Sequence, residues 1–184
     1  MKTLRSFILT LLLASASLRA MESNVEIVSF DRQKHHQRVS TLLKETFKDP
    51  TIQQQDTVSV LVQKNRATRH APAETILGCV TYYNSYPSQP SDPKITTIKY
   101  LVIAKEHRRQ GYGKLLMQHV EDYARNNNSD KIVGTATPSA IKFYEKLGAS
   151  KDTKNSNFLS MQLSNTDNEP KSKRIKIDND DDEQ

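Results

Sequence analysis

Apolar and polar residues alternate along six short stretches of the chain, which is the pattern of strands that bury one face. The predicted strands are residues 25–30, 57–62, 75–83, 98–103, 131–136 and 158–163. We expect the second and third strands to be antiparallel neighbours. Three prolines lie between the third and fourth strands, so residues 84–94 are predicted to form a loop.

Three other stretches show the three- and four-residue spacing of helices. The first follows Asp31, a typical capping residue, and is predicted to end at residues 49–50. The second begins at Gly113 and stops at the three asparagines 126–128. The third covers residues 140–147. Each places its apolar residues on one side, as a helix packed on a sheet does.

The third helix carries its own start and stop signals. Thr137 is predicted as its cap, Pro138 as its first helical residue and Gly148 as the glycine that ends it. In chain order the elements are strand, helix, three strands, helix, strand, helix and strand. We therefore predict the α/β class, with a mixed β-sheet of six to seven strands flanked by helices.

Length and charge indicate one domain with two tails. The chain of 184 residues has room for one domain of ordinary size, which we assign to residues 21–163. These residues include 20 basic and 14 acidic ones, a net charge of +6. That charge favours an anionic ligand, either a coenzyme or, less specifically, nucleic acid. The lone Cys79 is predicted to be a buried hydrophobe, and no metal is expected because Cys and His lack zinc-ligand spacing.

Residues 1–20 have the order of a secretory signal peptide, with basic residues first, then an apolar run over residues 7–13, then small residues. The apolar run is too short for a stable membrane anchor. This interpretation predicts a secreted protein. In the alternative interpretation Met21 is the true start and the first twenty residues are not part of the protein.

Residues 164–184 are rich in Asn, Asp and Lys and are predicted to be disordered. Within them, residues 170–178 (PKSKRIKID) resemble a short nuclear localisation signal, an extended basic peptide that binds an acidic groove on an import receptor. A secreted protein with this motif would act in a host nucleus. A chain that starts at Met21 would be a nuclear protein of its own cell.

A glycine-containing loop joins the fourth strand to the second helix. Its residues are Arg108, Arg109, Gln110, Gly111, Tyr112 and Gly113. The glycines let backbone N–H groups approach a ligand closely, and the start of the helix adds partial positive charge. The loop is therefore a predicted anion site, and a pyrophosphate is the expected ligand.

The Arg-x-x-Gly-x-Gly pattern of this loop resembles the acetyl-coenzyme A loop of the GCN5-related N-acetyltransferases, the GNAT family. Residues 140–148 (AIKFYEKLG) resemble that family's Ala-x-x-Phe-Tyr-x-x-x-Gly helix. The resemblance covers about residues 25–163 and implies a GNAT-like sheet with acetyl-CoA as cosubstrate. It implies that the loop residues 108–113 hold the pyrophosphate. It also implies that the pantetheine arm pairs with the backbone of Leu101, Val102 and Ile103.

The resemblance implies a reaction as well: direct transfer of an acetyl group from acetyl-CoA to an amine. The acceptor would be a protein lysine, a protein N-terminus or a small amine. Because a primary amine is mostly protonated at neutral pH, the site must remove a proton from it and return one to the leaving thiolate. Tyr144 is the implied proton donor. Acceptor specificity would lie in the loops 65–73 and 84–94.

Three residues depart from the family pattern. Thr97 replaces the glutamate base of many members, Thr137 replaces an asparagine, and Ala149 replaces an aromatic residue. An ordered water, Asp92 or Glu106 would then be the base. The departures leave an alternative function open, a degenerate domain that binds acyl-CoA or a protein without turnover. A nucleic-acid-binding function has no recognised motif to support it, so direct binding of nucleic acid is not expected.

Overall fold

The computed structural model describes residues 24–65, 74–85, 87–152 and 157–163. The predicted signal peptide, residues 1–20, and the predicted tail, residues 164–184, lie outside the described residues. Residues 66–73, which make up most of one predicted loop, also lie outside them. The predictions made for these segments stay predictions.

Seven strands form one mixed sheet in the order β1-β2-β3-β4-β5-β7-β6. Neighbouring strands are antiparallel except β4 and β5, which are parallel. The strands are Val25–Ser29 (β1), Thr57–Lys64 (β2), Glu74–Ser85 (β3), Ile95–Ile103 (β4), Lys131–Thr135 (β5), Ser150–Lys151 (β6) and Phe158–Gln162 (β7). The predicted α/β class and mixed sheet are confirmed.

Helices cover both faces of this sheet. They are Arg32–Thr46 (α1), Tyr112–Asn126 (α2) and Ile141–Lys146 (α3). Helix α1 buries Val39 and Leu42 against one face, whereas α2 buries Leu116 and Val120 against the other. Cys79 lies in the core under α1, where burial raises the pKa of its thiol to about 12. The prediction that Cys79 is a buried hydrophobe is therefore confirmed.

The parallel strands β4 and β5 pair over only four residues, Ile95–Ile98 against Lys131–Gly134. Strand β4 continues to Ile103 on its β3 side, so its last five residues have an open edge where β5 has turned away. The β3–β4 register also shifts in this region, which leaves Lys99 without an opposite residue. The sheet therefore splits at its centre.

Several element boundaries differ from those predicted. Strands β3 and β4 reach Ser85 and Ile95, because their pairing includes Asn84 opposite Thr96 and the Thr96 hydroxyl donates to Asn84 Oδ1 at 2.8 Å. Helix α1 ends at Thr46, before residues 49–50, because Phe47 is extended and its ring packs on Tyr100 with centroids 4.9 Å apart.

The predicted start of helix α3 is also wrong. The helix begins at Ile141 and Ala140 is its N-cap. The Thr137 hydroxyl does not cap it, since that oxygen lies 3.1 Å from Ser139 Oγ and residues 137–140 form a separate turn with an Ala140 N–H to Thr137 C=O bond. The two-residue strand β6 was not predicted, because alternation over two residues gives no signal.

Candidate active site

A cleft of about 850 Å³ occupies the split between β4 and β5. One wall is the open edge of β4, including Lys99, Leu101 and Ile103. The opposite wall includes Gly134, where a Cβ atom would lie 3.2 Å from the carbonyl oxygen of Ile98. The strands therefore meet closely at the base of the cleft and separate above it.

Backbone groups of β4 face this opening. The Ala104 N–H bonds to Leu77 O on β3, so alternation along the strand turns the N–H and C=O groups of Leu101 and Ile103 toward the open edge. The Ile103 carbonyl there accepts a hydrogen bond of 3.0 Å from Arg108 Nε. The edge at Leu101 can form hydrogen bonds with an extended amide-containing ligand.

The loop after β4 curls into a concave set of backbone N–H groups. Arg109 and Gly111 both have left-handed backbone conformations, with φ of 63° and 78°. Gly111 is the N-cap of α2 and has no side chain with which to satisfy the first N–H groups of the helix. Alternating left-handed residues followed by an uncapped helix start are an arrangement that can bind an anion.

Basic side chains surround this loop. The lining of the cleft includes His107, Arg108, Arg109, Lys114 and Lys146. Arg108 donates to the Ile103 carbonyl, and Arg108, Arg109 and Lys114 are all exposed. The mouth of the cleft thus combines oriented backbone dipoles with positive charge, which suits a ligand with several phosphate groups.

Tyr144 reaches the cleft from helix α3. Its neighbour Phe143 packs against it with ring centroids 4.9 Å apart and also approaches Gly113 at the start of α2. Burial raises the pKa of the Tyr144 phenol to about 12, so the group stays protonated through neutral pH. A protonated phenol beside the cleft is able to donate a proton to an anion formed there.

The cleft brings together nine of the ten residues that the sequence singles out. The nine are Leu101, Val102, Ile103, Arg108, Arg109, Gly111, Tyr112, Gly113 and Tyr144. Gln110 is exposed in the loop and does not line the cleft. Their shared location is a geometric finding, and their individual roles stay predictions.

Asp92 and Glu106, the alternative bases, do not line the cleft. Asp92 accepts a hydrogen bond from Gln89 N–H within the 84–94 loop. Glu106 pairs with Arg38 at 3.3 Å, and both side chains are largely exposed. Neither carboxylate is placed to take a proton from an amine in this cleft.

No sequence pattern predicts an ion pair that the structure forms at the wall of the cleft. Lys99 lines the cleft, and its Nζ lies 2.9 Å from Asp56 Oδ2. The Asp56 side chain is 0% exposed, its Oδ2 also accepts from Gln53 N–H, and its Oδ1 has no hydrogen-bond partner among the described residues. The partners are 43 residues apart, so only the folded sheet brings them together.

A second cleft, of about 990 Å³, lies at the end of the sheet where β1 ends and β2 begins. Asp56 is part of its lining. So is a polar group in which Ser59 Oγ lies 2.9 Å from His119 Nε2 and 3.2 Å from Tyr82 Oη. Burial lowers the pKa of His119, with nearby Asp122 opposing the shift, so its imidazole is neutral at neutral pH.

Within the described ranges, no group of three or more His, Cys, Asp or Glu side chains is placed to hold a metal ion. In the same part of the chain, no helix is long and apolar enough to span a membrane.

Comparison with known proteins defines the class of the chain. A sequence model of the acetyltransferase (GNAT) family matches residues 25–149, which include the split sheet, the glycine loop and the Tyr144 helix. The chain therefore belongs to the acetyltransferase (GNAT) family, and the resemblance inferred from its two motifs is confirmed.

Solved structures share the fold at low sequence identity. A Trypanosoma brucei acetyltransferase has 17% identity and a TM-score of 0.58, with 76% of this chain and 99% of that chain covered. The NatC complex bound to Gag peptide and CoA has 15% identity and a TM-score of 0.58, with 77% of this chain and 99% of that chain covered. A third structure is a tyrosine-to-phenylalanine mutant of the toxin AtaT, bound to acetyl-CoA and the C-terminus of the antitoxin AtaR. It has 16% identity and a TM-score of 0.54, with 76% of this chain and 93% of that chain covered.

Proposed function

We propose that this protein is an acetyl-CoA-dependent N-acetyltransferase that moves the acetyl group directly to a primary amine. The observation that carries the proposal is the shape of the split sheet. One cleft holds an open strand edge at Leu101, an anion-binding loop at Gly111 and a protonated phenol at Tyr144. An extended thiol ester with a pyrophosphate at one end matches all three features.

The loop and the basic residues around it would hold the phosphates of the coenzyme. A hydrogen bond to a charged group contributes about 1.5–3 kcal/mol, so two or three backbone N–H contacts would account for micromolar binding when combined with the β4 edge. Neighbouring structures that hold CoA or acetyl-CoA support this assignment. The Gln110 side chain is not needed for it, because Gln110 lies outside the cleft lining.

Tyr144 would supply the proton that the leaving thiolate needs. A thiol has a pKa near 8.5, so a thiolate leaves more readily when a neighbouring acid protonates it as the bond breaks. Burial keeps the Tyr144 phenol in its protonated form. The AtaT relative whose tyrosine is replaced by phenylalanine still appears with acetyl-CoA bound, which supports testing Tyr144 for turnover separately from binding.

A second function is favoured by one specific observation. Thr97 lies on β4 opposite Val133 and has no carboxylate, and Asp92 and Glu106 lie outside the cleft. A protein that binds an acyl-CoA without turnover would need no base. Acceptor-dependent thiol release distinguishes the two functions.

The experiment uses the full chain with acetyl-CoA and three separate acceptors: a peptide with a free N-terminus, an N-terminally blocked peptide with one lysine, and a polyamine. Release of free thiol is followed with and without each acceptor. The transferase proposal predicts release that requires an amine. Saturable binding of acetyl-CoA without release from any acceptor would instead establish the binding module.

A further inference from the structure

The second cleft has three chemical zones. Asp56 provides a buried carboxylate whose Oδ1 lacks a hydrogen-bond partner among the described residues. Apolar side chains line the adjoining wall, and one of them, Ile52, is the large hydrophobic residue that is exposed in the described part of the chain, at 37%. The third zone is a set of three exposed basic residues of α1: Arg32, His36 and Lys44.

The two clefts adjoin at two places. The ion pair of Lys99 and Asp56 has one partner in each cleft. The last turn of α1 is also shared, since Lys44 lines the second cleft and Thr46 the first. An acceptor in the second cleft would therefore reach the acetyl group through the place where Lys99 and Asp56 meet.

One segment of this chain has a sequence complementary to the second cleft. In residues 164–184 the apolar side chains, proline aside, are Ile175 and Ile177, and they flank Lys176. Five acidic residues then follow within residues 178–183. The isoleucines match the apolar wall, the Lys176 ammonium matches Asp56, and the acidic run matches the basic residues of α1.

The topology brings this segment within reach. Strand β7 ends at Gln162, opposite Lys131 at the beginning of β5, and this is the same end of the sheet at which β2 begins at Thr57. Four strand spacings separate β7 from β2, about 19 Å. The 13 residues from Ser164 to Lys176 span up to about 43 Å when extended.

We propose that the second cleft binds residues 175–183 of the same chain and that Lys176 is an acetyl acceptor. The proposal rests on the transferase function proposed above. In the reaction, Lys176 Nζ first loses one proton to solvent. The neutral nitrogen then forms a bond to the thioester carbonyl carbon as the carbon–sulfur bond breaks. Tyr144 protonates the leaving thiolate, and the second proton lost by the nitrogen restores the phenol.

The test is mass spectrometry of the full chain incubated with acetyl-CoA and no other acceptor. We expect one acetyl group, located on Lys176 by peptide mapping, and a first-order rate constant that does not depend on protein concentration. Lys176→Arg should abolish this gain, whereas Lys173→Arg, the matched control, should retain it. The Tyr144→Phe chain should lose it, which excludes acetylation without the enzyme.

Variants of the cleft test where the segment binds. The double variant Arg32→Gln and Lys44→Gln should slow acetylation of Lys176 by about tenfold or more, since the acidic run loses its cationic partners. Arg38→Gln is the matched control, because Arg38 lies on the same helix outside the cleft lining. Acetyl-CoA affinity should be the same in all of these variants.

Three outcomes would overturn the inference while leaving the transferase function intact. The first is amine-dependent thiol release with external acceptors but an unmodified Lys176. The second is an observed rate constant for Lys176 acetylation that rises in proportion to protein concentration. The third is equal rate constants in the double variant and Arg38→Gln. Failure to bind acetyl-CoA at all would contradict the transferase function itself.

Discussion

Gly113 in the glycine loop lies against Phe143 in helix α3, so the two sequence motifs touch in the folded protein. A Cβ atom on Gly113 would be 3.3 Å from both Cε2 and Cζ of the Phe143 ring. The next residue of α3 is Tyr144, which lines the cleft between β4 and β5. The glycine therefore sets the distance between the anion-binding loop and the predicted proton donor.

Gly113→Ala should lower kcat/KM with little change in stability. The new methyl group must displace Phe143 by a few tenths of an ångström, and with it Tyr144, so we expect a loss of up to about tenfold. Crowding costs about 1–3 kcal/mol, which the better helix propensity of alanine, about 1 kcal/mol, partly offsets. Phe143→Leu in the same chain should restore part of the activity. Additive losses of kcat/KM in the double-mutant cycle would show that the contact between residue 113 and Phe143 does not affect activity.

Gly111→Ala and Gly148→Ala form a matched pair. Both glycines have positive φ, 78° and 91°, and a Cβ on either would meet no atom within 4 Å. Each substitution should therefore cost about 1–2 kcal/mol of unfolding free energy through backbone strain alone. Gly111 lines the cleft between β4 and β5 and Gly148 does not, so acetyl-CoA affinity should fall about tenfold or more only in Gly111→Ala. Equal losses of acetyl-CoA affinity in the two variants, measured by calorimetry, would show that the loop is not part of the binding site.

Tyr144→Phe should reduce kcat by about 10²–10⁴-fold, the usual contribution of a general acid, while acetyl-CoA binding is retained. Tyr83→Phe is the control, since Tyr83 is a half-buried tyrosine outside the cleft lining. Steady-state kinetics and calorimetric titration are measured on the same preparations. An unchanged kcat would show that Tyr144 only packs beside the cleft.

Acid should destabilise the fold through His119. Its pKa is depressed below the ordinary value of 6.5 by burial, and the groups facing it are Ser59 on β2, Tyr82 on β3 and the partly opposing Asp122 on its own helix. A depressed histidine pKa means that the unfolded chain binds more protons, so stability is full above the unfolded pKa and falls as the pH drops below it.

Urea unfolding at about pH 7.5 and about pH 5 tests this, with His119→Gln as the comparison, because a glutamine side chain can still hydrogen-bond with Ser59. The native chain should lose more stability between the two pH values than the variant does. A loss of the same size in both would show that other groups carry the pH dependence.

The sequence predicts most of the fold because its signals are local. Alternation predicts six of the seven strands, and nine of the ten residues that the sequence singles out for the coenzyme and the proton donor line the cleft. Boundaries fail where a tertiary contact outweighs local preference. Phe47 leaves the helix to pack on Tyr100, and Asn84 joins the sheet through Thr96.

Other features have no local signature at all. Lys99 and Asp56 are ordinary charged residues in the sequence, and they become a buried pair because a register shift in β4 leaves Lys99 unopposed beside the start of β2. The same holds for Ser59 and His119, which come from a strand and a helix 60 residues apart. The polar groups of the second cleft are therefore visible only in the structure.

The most direct test of the account is a calorimetric titration of the full chain with acetyl-CoA. We predict saturable binding at one site, which is weakened in Gly111→Ala and unaffected in Gly148→Ala. The absence of binding, or binding that responds equally to both substitutions, would contradict the assignment of the split between β4 and β5 as the coenzyme site.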